Sequence, residues 1–415
     1  MQLVNLIIDI TPLRESRAFR FAYAARTATV LVTGMLLVAA SIQLYQLTAS
    51  SVAVAALNVF MAVPMGLALI IGGVLSDRLD RRKLMLWSRS VYVISVLIFL
   101  INALLPQPMA WPIYIAAVIG GAAGGISVPA MMSATPALVG RQHLAAAAAL
   151  SGLSMQLGGV IGPLLAGALI AGAGLVFCYV IVLIGVVTTP MLLRALPPLP
   201  PQVPAGSAAA RLGMFHSFIE GFRYMLATPL LRGLLLIDLA AVVFATPMAL
   251  LPEWGNAVLG MGAEATGALY AAPATGAVLA AISSGWTRSH SRPGRIVIGA
   301  VLVWGMSVML LSASTTLYAS VCALAFMGAA DTISKMMRMA LVQKHTPDHL
   351  LGRMSSLWMT QSTLGTAAGN MQMGLVSRWF SPSMALLIGG SACLIAGGVF
   401  TLSSNALKQI ESGRK

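Results

Sequence analysis

Apolar residues run along this chain in long unbroken blocks, with neither the two-residue alternation of a half-buried strand nor the polar stripe of a surface helix. The blocks fall near 22–47, 52–75, 84–104, 113–135, 148–171, 175–193, 232–252, 265–286, 295–313, 317–339, 354–376 and 384–403. A bilayer's hydrocarbon core takes about 20 apolar residues per helical crossing. Inside lipid, only helices and closed barrels satisfy their own backbone polar groups. The pattern therefore predicts an all-α membrane protein of twelve transmembrane helices.

The pattern breaks once at length. Leu196–Arg211 reads LPPLPPQVPAGSAAAR, which cannot be helical throughout and leaves backbone groups for water. Behind it, His216–Leu226 has apolar residues at helical spacing and predicts a short amphipathic helix on the membrane surface. This divides the chain into a six-helix bundle at 1–195, a linker with its short helix at 196–230, and a second six-helix bundle at 231–415.

Composition excludes a soluble enzyme: 58% of the 415 residues are hydrophobic and 9% charged, against roughly 25% charged in soluble domains. The net charge of +14 raises nucleic acid as a partner, so its placement decides. Arg14, Arg17, Arg20 and Arg26 precede or enter the first span; Arg78, Arg81, Arg82, Lys83 and Arg89 follow the second. Others follow even-numbered spans or sit in the linker, and Lys408, Arg414 and Lys415 form the tail. Only Arg378 falls on the other side. By the positive-inside rule both termini are cytoplasmic. The basic balance is topology, and no nucleic-acid partner is expected. Met1–Thr11 lacks the features of a signal peptide.

Cys178, Cys322 and Cys393 sit inside apolar runs without metal-ligand spacing. His143, His216, His290, His345 and His349 all fall in predicted cytoplasmic segments, and Pro347 separates the one helically spaced pair. Neither a metal site, a catalytic constellation nor a cofactor motif is expected, and no Walker lysine offers direct ATP drive. Trp87, Trp111, Trp254, Trp286 and Trp379 lie near span ends and read as interface anchors.

The two halves echo one another. TPALVGR at Thr135–Arg141 returns as TPDHLLGR at Thr346–Arg353, and Gly73 and Gly285 stand 212 residues apart. Internal repeats of this kind mark secondary transporters, whose substrate site lies between the repeated halves.

The sharpest motif is GGVLSDRLDRRK at Gly72–Lys83, following the second span. Its glycines let a helix end pack closely, and Asp77 can meet a helix N-terminus or an arginine. An ordinary basic loop would need no such order. The order resembles the loop signature of the major facilitator superfamily, on Gly73, Asp77, Arg78, Arg81 and Arg82. Asp80 stands where the signature has a second glycine. The fifth span carries Gly158, Gly162, Pro163 and Gly167 on a small-residue stripe, chemistry for a close, bent helix contact. It resembles the fifth-span motif of that superfamily's proton-coupled exporters. The implied fold is two six-helix bundles working by alternating access, and the implied role of the loop is gating.

Charges within spans are costly and functional by default. Arg26, Asp238, Asp331, Lys335 and Arg338 are such charges here. The repeat sets Asp238 212 residues after Arg26, which allows an ion pair between halves; Asp331 and Lys335 share a helix face and can pair locally. Arg26, Lys335 and Arg338 also lie close enough to the cytoplasm to snorkel. Asp238 and Asp331 are the expected proton-coupling groups, since a carboxylate at that depth is disfavoured when charged. Arg26, Asn58, Gln156, Lys335, Arg338, Trp358 and Gln361 are the expected substrate-binding groups. Neutral amides of this kind serve equally as glue between helices.

Further segments, among them Leu104–Pro108, Ala134–Leu144, Ala195–Gln202, Ala271–Gly294 and Leu350–Trp358, resemble the enterobactin-exporting branch of the superfamily. That resemblance implies a monomeric, proton-driven exporter in the bacterial inner membrane, carrying a small-molecule siderophore outward, best a catecholate. Broad efflux of amphiphilic drugs on the same fold, or a receptor without transport, are the alternatives.

Overall fold

The computed structural model describes residues 9–200, 214–285, 292–347 and 350–403. Most of Met1–Thr11 and of the proline-rich stretch lies outside the described residues. So do Arg211, Trp286, Arg288, His290, His349, Lys408, Arg414, Lys415 and the His216 side chain.

The described residues are helical, without strands. They form α1 Thr11–Glu15, α2 Arg17–Thr48, α3 Ser51–Arg78, α4 Arg81–Leu104, α5 Ala110–Val139, α6 Leu144–Ala173 and α7 Leu175–Leu193. Then come α8 Met214–Ala227, α9 Pro229–Phe244, α10 Ala263–Ser283, α11 Pro293–Ser312, α12 Leu317–His345, α13 Leu351–Trp379 and α14 Pro382–Ser403. Eleven helices among the described residues are long and apolar enough to cross a membrane. The expected span at 354–376 is α13, a full helix of 29 residues. Ser, Thr, Asn and Gln at positions such as Thr360, Gln361, Thr366, Asn370 and Gln372 keep it below that threshold. Large apolar side chains stand outward, Leu67, Ile282, Phe326 and Ile395 among them, the surface of a protein whose solvent is lipid.

The seventh span departs from the unbroken helix expected over 232–252. It stops at Phe244 and resumes as a 3-10 turn at Met248–Leu250, one α turn at Leu251–Glu253 and a π turn at Trp254–Val258. Pro247 has no N–H to give and its ring crowds the preceding turn; Pro252 repeats the insult five residues on.

The helices form two compact units: Met1–Ala40 with Phe60–Arg211, and Ser41–Val59 with Leu212–Lys415. The connected ends of α2 and α3 thus belong to the second unit, while the rest of both helices belongs to the first. In the first unit α4 packs on α5 and α7. In the second, α12 packs on α10 and α11, and α9 on α13 and α14. The linker helix α8 sits on α13, where Gly221 meets Arg353 and Leu357, Glu220 pairs with Arg353, and the Tyr224 hydroxyl donates to the His345 carbonyl at 2.9 Å. It is docked on protein as well as amphipathic. Trp87, Trp111 and Trp379 are exposed as interface anchors are, but Trp254 is wholly buried and donates Nε1 to Ser320 Oγ at 3.1 Å.

Candidate functional site

In the first unit the loop motif is a capped and pinned corner. Asp80 is the N-cap of α4: its Oδ1 accepts from the backbone N–H of Arg82 at 2.8 Å and of Lys83 at 3.2 Å. Its backbone is extended, φ −60 and ψ 117, so glycine's conformational freedom is not needed where the superfamily signature has glycine. Arg81, buried, donates Nη1 to the Ser133 carbonyl at 3.0 Å and Nε to that of Ser76 at 3.3 Å. Arg82 donates Nη2 to the Arg194 carbonyl at 2.6 Å. Asp77 and Arg78 are exposed. Gly72 is the packing glycine: a Cβ there would stand 2.8 Å from Ile126 Cα on α5, whereas Gly73 faces open space.

The fifth-span stripe brings α6 against α2. A Cβ on Gly158 would meet Val30 Cγ1 at 2.6 Å, and one on Gly162 the Leu31 carbonyl at 2.7 Å. Pro163 and Gly167 are buried in the same helix. Thr27 and Ser154 share a hydrogen bond of 3.0 Å across this contact. Arg26 and Gln156, both half-buried, lie on these two helices. Arg89, which sequence reasoning read as a topology charge, is buried in α4 with its guanidinium 6.0 Å from the Tyr92 ring. Its place inside a span was the available signal.

In the second unit the charges meet. Asp238 on α9 forms an ion pair with Arg338 on α12, both side chains 5% exposed. The repeat allows Asp238 a partner in Arg26; within its own unit the ion pair that Asp238 makes is with Arg338, a partner the repeat does not point to. Arg338 is buried rather than snorkelling, and its guanidinium lies 5.4 Å from the centroid of Trp358 on α13, cation–π distance. On α12 and α13, within a turn of Arg338 and Trp358, Trp358 Nε1, Ser334 Oγ and both Gln361 amide atoms are buried without hydrogen-bond partners among the described residues. Native interiors rarely leave such groups unsatisfied, and each asks for an explanation such as a bound molecule. One helical turn away Lys335, half-exposed, donates to Asp331 Oδ2 at 2.6 Å, as the spacing predicts, while Asp331 Oδ1 is buried without a partner.

A further carboxylate went unremarked in the sequence because it follows the seventh apolar block. Glu253 accepts from Ser51 Oγ, on the α3 segment of this unit, and from Ser377 Oγ on α13 at 3.4 Å. Nearby, Asn370 Oδ1 accepts from the backbone N–H of Ala249 at 2.9 Å in the broken stretch, the helix glue foreseen for such amides. Asn58 donates to the Val54 carbonyl of its own helix at 3.0 Å. The structure thus gathers Asp238, Arg338 and Trp358, with Gln361 one turn along α13. Asp331 and Lys335 form a second pair on α12, Arg26 and Gln156 stay in the first unit, and Asn58 is capped locally.

The family model described as transmembrane secretion effector matches residues 8–414. The enterobactin exporter EntS of Salmonella typhimurium is 32% identical over 409 residues, 97% of this chain and 96% of that protein. EntS of Shigella boydii serotype 18 is 32% identical over 400 residues, 95% of this chain and 94% of that protein. Among solved structures, a POT family transporter in complex with 5-aminolevulinic acid has a TM-score of 0.77 at 11% identity, over 94% of this chain and 97% of that one. The nucleoside transporter NupG has a TM-score of 0.76 at 11% identity, over 93% and 98%. At such identities the solved structures speak to the fold alone.

Proposed function

The chain belongs to the transmembrane secretion effector family of the major facilitator superfamily, and on that premise we propose that it exports a siderophore of the catecholate class across the bacterial inner membrane. The observation that carries this reading is 32% identity, over nearly the whole of both chains, to proteins named as enterobactin exporters. We propose alternating access between the two bundles as the mechanism and the proton gradient as the source of energy, with both termini in the cytoplasm. Asp238 and Asp331 are the acids through which we propose that protons exchange.

The site chemistry supports an oxygen-rich aromatic cargo. Arg338 beside the Trp358 indole, with unpartnered donors and acceptors on Trp358, Gln361 and Ser334, suits a planar ring bearing adjacent oxygens. Broad efflux of cationic drugs would want an acid available to a cation. Asp238 and Asp331 each already hold a cation of the chain itself.

The test is deletion of the gene under iron starvation, with secreted and intracellular siderophore measured and the gene then restored. The expected result is intracellular accumulation and reduced secretion, reversed on restoration. Unchanged secretion with new sensitivity to cationic drugs would replace this reading with the multidrug one.

A further inference from the structure

Arg338 and Asp238 hold one another, which makes Asp238 the competitor that an anionic cargo must displace. We propose that Arg338 is the anion anchor of the cargo site and Asp238 its built-in occupant, so that only a cargo presenting an anionic oxygen can open the pair. The inference deepens the exporter reading and rests on it for the class of cargo.

The geometry has three parts. First, Arg338 and Asp238 are both buried and paired. A guanidinium is an always-charged, forked donor that matches a carboxylate or an ionised pair of adjacent phenolic oxygens. Second, the guanidinium lies 5.4 Å from the Trp358 ring centroid, so a planar aromatic anion on Arg338 arrives beside an aromatic surface. Third, Trp358 Nε1, Ser334 Oγ and the Gln361 amide are buried and unpartnered; Ser334 is one turn from Arg338 on α12 and Gln361 one turn from Trp358 on α13. They are the groups a bound oxygen-rich ring would satisfy. Arg338 is seven residues from the end of α12 and Trp358 seven from the start of α13. At 1.5 Å per residue both stand about 10 Å in from the connection between α12 and α13.

When a cargo oxygen takes Arg338, Asp238 is left buried without its cation. A buried carboxylate in that position takes a proton from solvent rather than remain charged. Among the described residues, the ion pair that Asp238 makes is with Arg338. The helices packed on α9 carry Glu220, Arg223 and Tyr224 on α8, Arg292 and Arg295 flanking and in α11, Arg353 and Arg378 on α13, and Cys393 on α14. Glu220 and Arg353 are already paired with each other. Proton and anionic cargo therefore favour one another at this pair, and by reciprocity of linkage each tightens the other's binding. Antiport needs the opposite sign, so of the two acids proposed to exchange protons Asp331 carries the inward proton and Asp238 the one that accompanies cargo.

The experiment uses the full-length protein in lipid nanodiscs and 2,3-dihydroxybenzoate as probe, with 2,3-dihydroxybenzamide as the carboxylate-free control. Calorimetry in two buffers of different ionisation enthalpy counts protons taken up per probe bound. The expected result for the unmodified protein is uptake approaching one proton, with affinity rising as pH falls. Asp238→Asn binds the benzoate at least tenfold more tightly, with no proton uptake, and gains little for the benzamide. Because Arg338→Gln alone strands a buried carboxylate, loss of the anchor is tested in the Asp238→Asn/Arg338→Gln double variant, which loses that gain. Benzoate binding without proton uptake, or Asp238→Asn binding no more tightly, overturns the inference. Catecholate export that survives the double variant overturns it while leaving the exporter reading intact. The expected binding signature in a protein whose deletion leaves siderophore secretion unchanged overturns the exporter reading and supports the anchor.

Discussion

Arg81 and Ser133, 52 residues apart in the chain, are joined by a 3.0 Å hydrogen bond from the Arg81 guanidinium to the Ser133 carbonyl. With Nε on the Ser76 carbonyl, and the Arg81 N–H donating to the Leu199 carbonyl at 3.0 Å, one buried residue fastens α3, α4, α5 and the segment after α7. Asp80 caps α4 and Arg82 reaches the Arg194 carbonyl, whereas Asp77, Arg78 and Lys83 are exposed, so the motif divides into residues that build the corner and charges on its surface.

Arg81→Ala should therefore cost stability, about 1–3 kcal/mol for carbonyls left without donors in a buried place, and Arg81→Lys should recover little, because one ammonium cannot serve a forked geometry. Thermal unfolding in detergent, read by tryptophan fluorescence, should show a lowered midpoint for both. Asp77→Asn is the contrast. Asp77 is exposed, so its midpoint should stay put while export slows at least several-fold, as the proposed gating role requires. An Asp77→Asn protein exporting at the full rate would remove Asp77 from the gate.

Gly162→Ala and Gly73→Ala should have opposite effects. A Cβ at Gly162 would lie 2.7 Å from the Leu31 carbonyl, a backbone atom that can yield only if α2 and α6 separate; one at Gly73 meets nothing. Overpacking of this kind costs typically 1–3 kcal/mol, whereas alanine in an open helical position can gain up to about 1 kcal/mol over glycine. Comparison of the two unfolding midpoints checks it, and equal midpoints would mean that the α2–α6 contact is slack.

These residues also mark what could be read from the chain alone. Long apolar blocks announce membrane helices because bilayer thickness sets their length, and Gly158–Gly162–Pro163 announced a close helix contact. The loop motif was legible as an ordered signature, but not that Gly72 is the glycine in contact, nor that Asp80 replaces a glycine by capping α4. Those depend on which face of α3 meets α5 and on a cap geometry that several sequences satisfy. Asp238 and Arg338 were both visible as costly charges in spans, yet their partnership spans 100 residues and the internal repeat pointed to Arg26 instead. Glu253 was passed over because it stands just beyond an apolar block, where an acid looks solvated, whereas the break at Pro247 turns it inward to Ser51 and Ser377.

Glu253 should prove to hold Ser41–Val59 within the second unit. Replacing it by Ala leaves the Ser51 and Ser377 hydroxyls without their acceptor, while Gln keeps an acceptor oxygen in the same place. Hydrogen exchange should report faster exchange at 51–57 in Glu253→Ala and near-normal protection in Glu253→Gln. Equal protection in all three proteins would show that the apolar contacts of Val54 and Ala55 with Ala249 suffice alone.

The last expectation separates the two acids of the second unit. Asp331 has one oxygen on a half-exposed lysine and the other buried without a partner, so it can accept a proton on Oδ1 without breaking a buried ion pair. Asp238 cannot: protonation there costs it the buried Arg338, and removing one member of such a pair is worth about 3–5 kcal/mol. Asp331→Asn should then leave catecholate binding within about twofold yet make export indifferent to an imposed pH gradient. Asp238→Asn should keep gradient dependence while binding cargo more tightly, and its turnover should fall because cargo is released slowly. Transport into inverted vesicles with and without a gradient, set beside equilibrium binding of the same probe, reads both quantities. If Asp331→Asn vesicles still accelerate with the gradient as the unmodified protein does, the inward proton travels by another group, and Glu253, the remaining carboxylate with only hydroxyl partners on the described helices, becomes the next residue to replace.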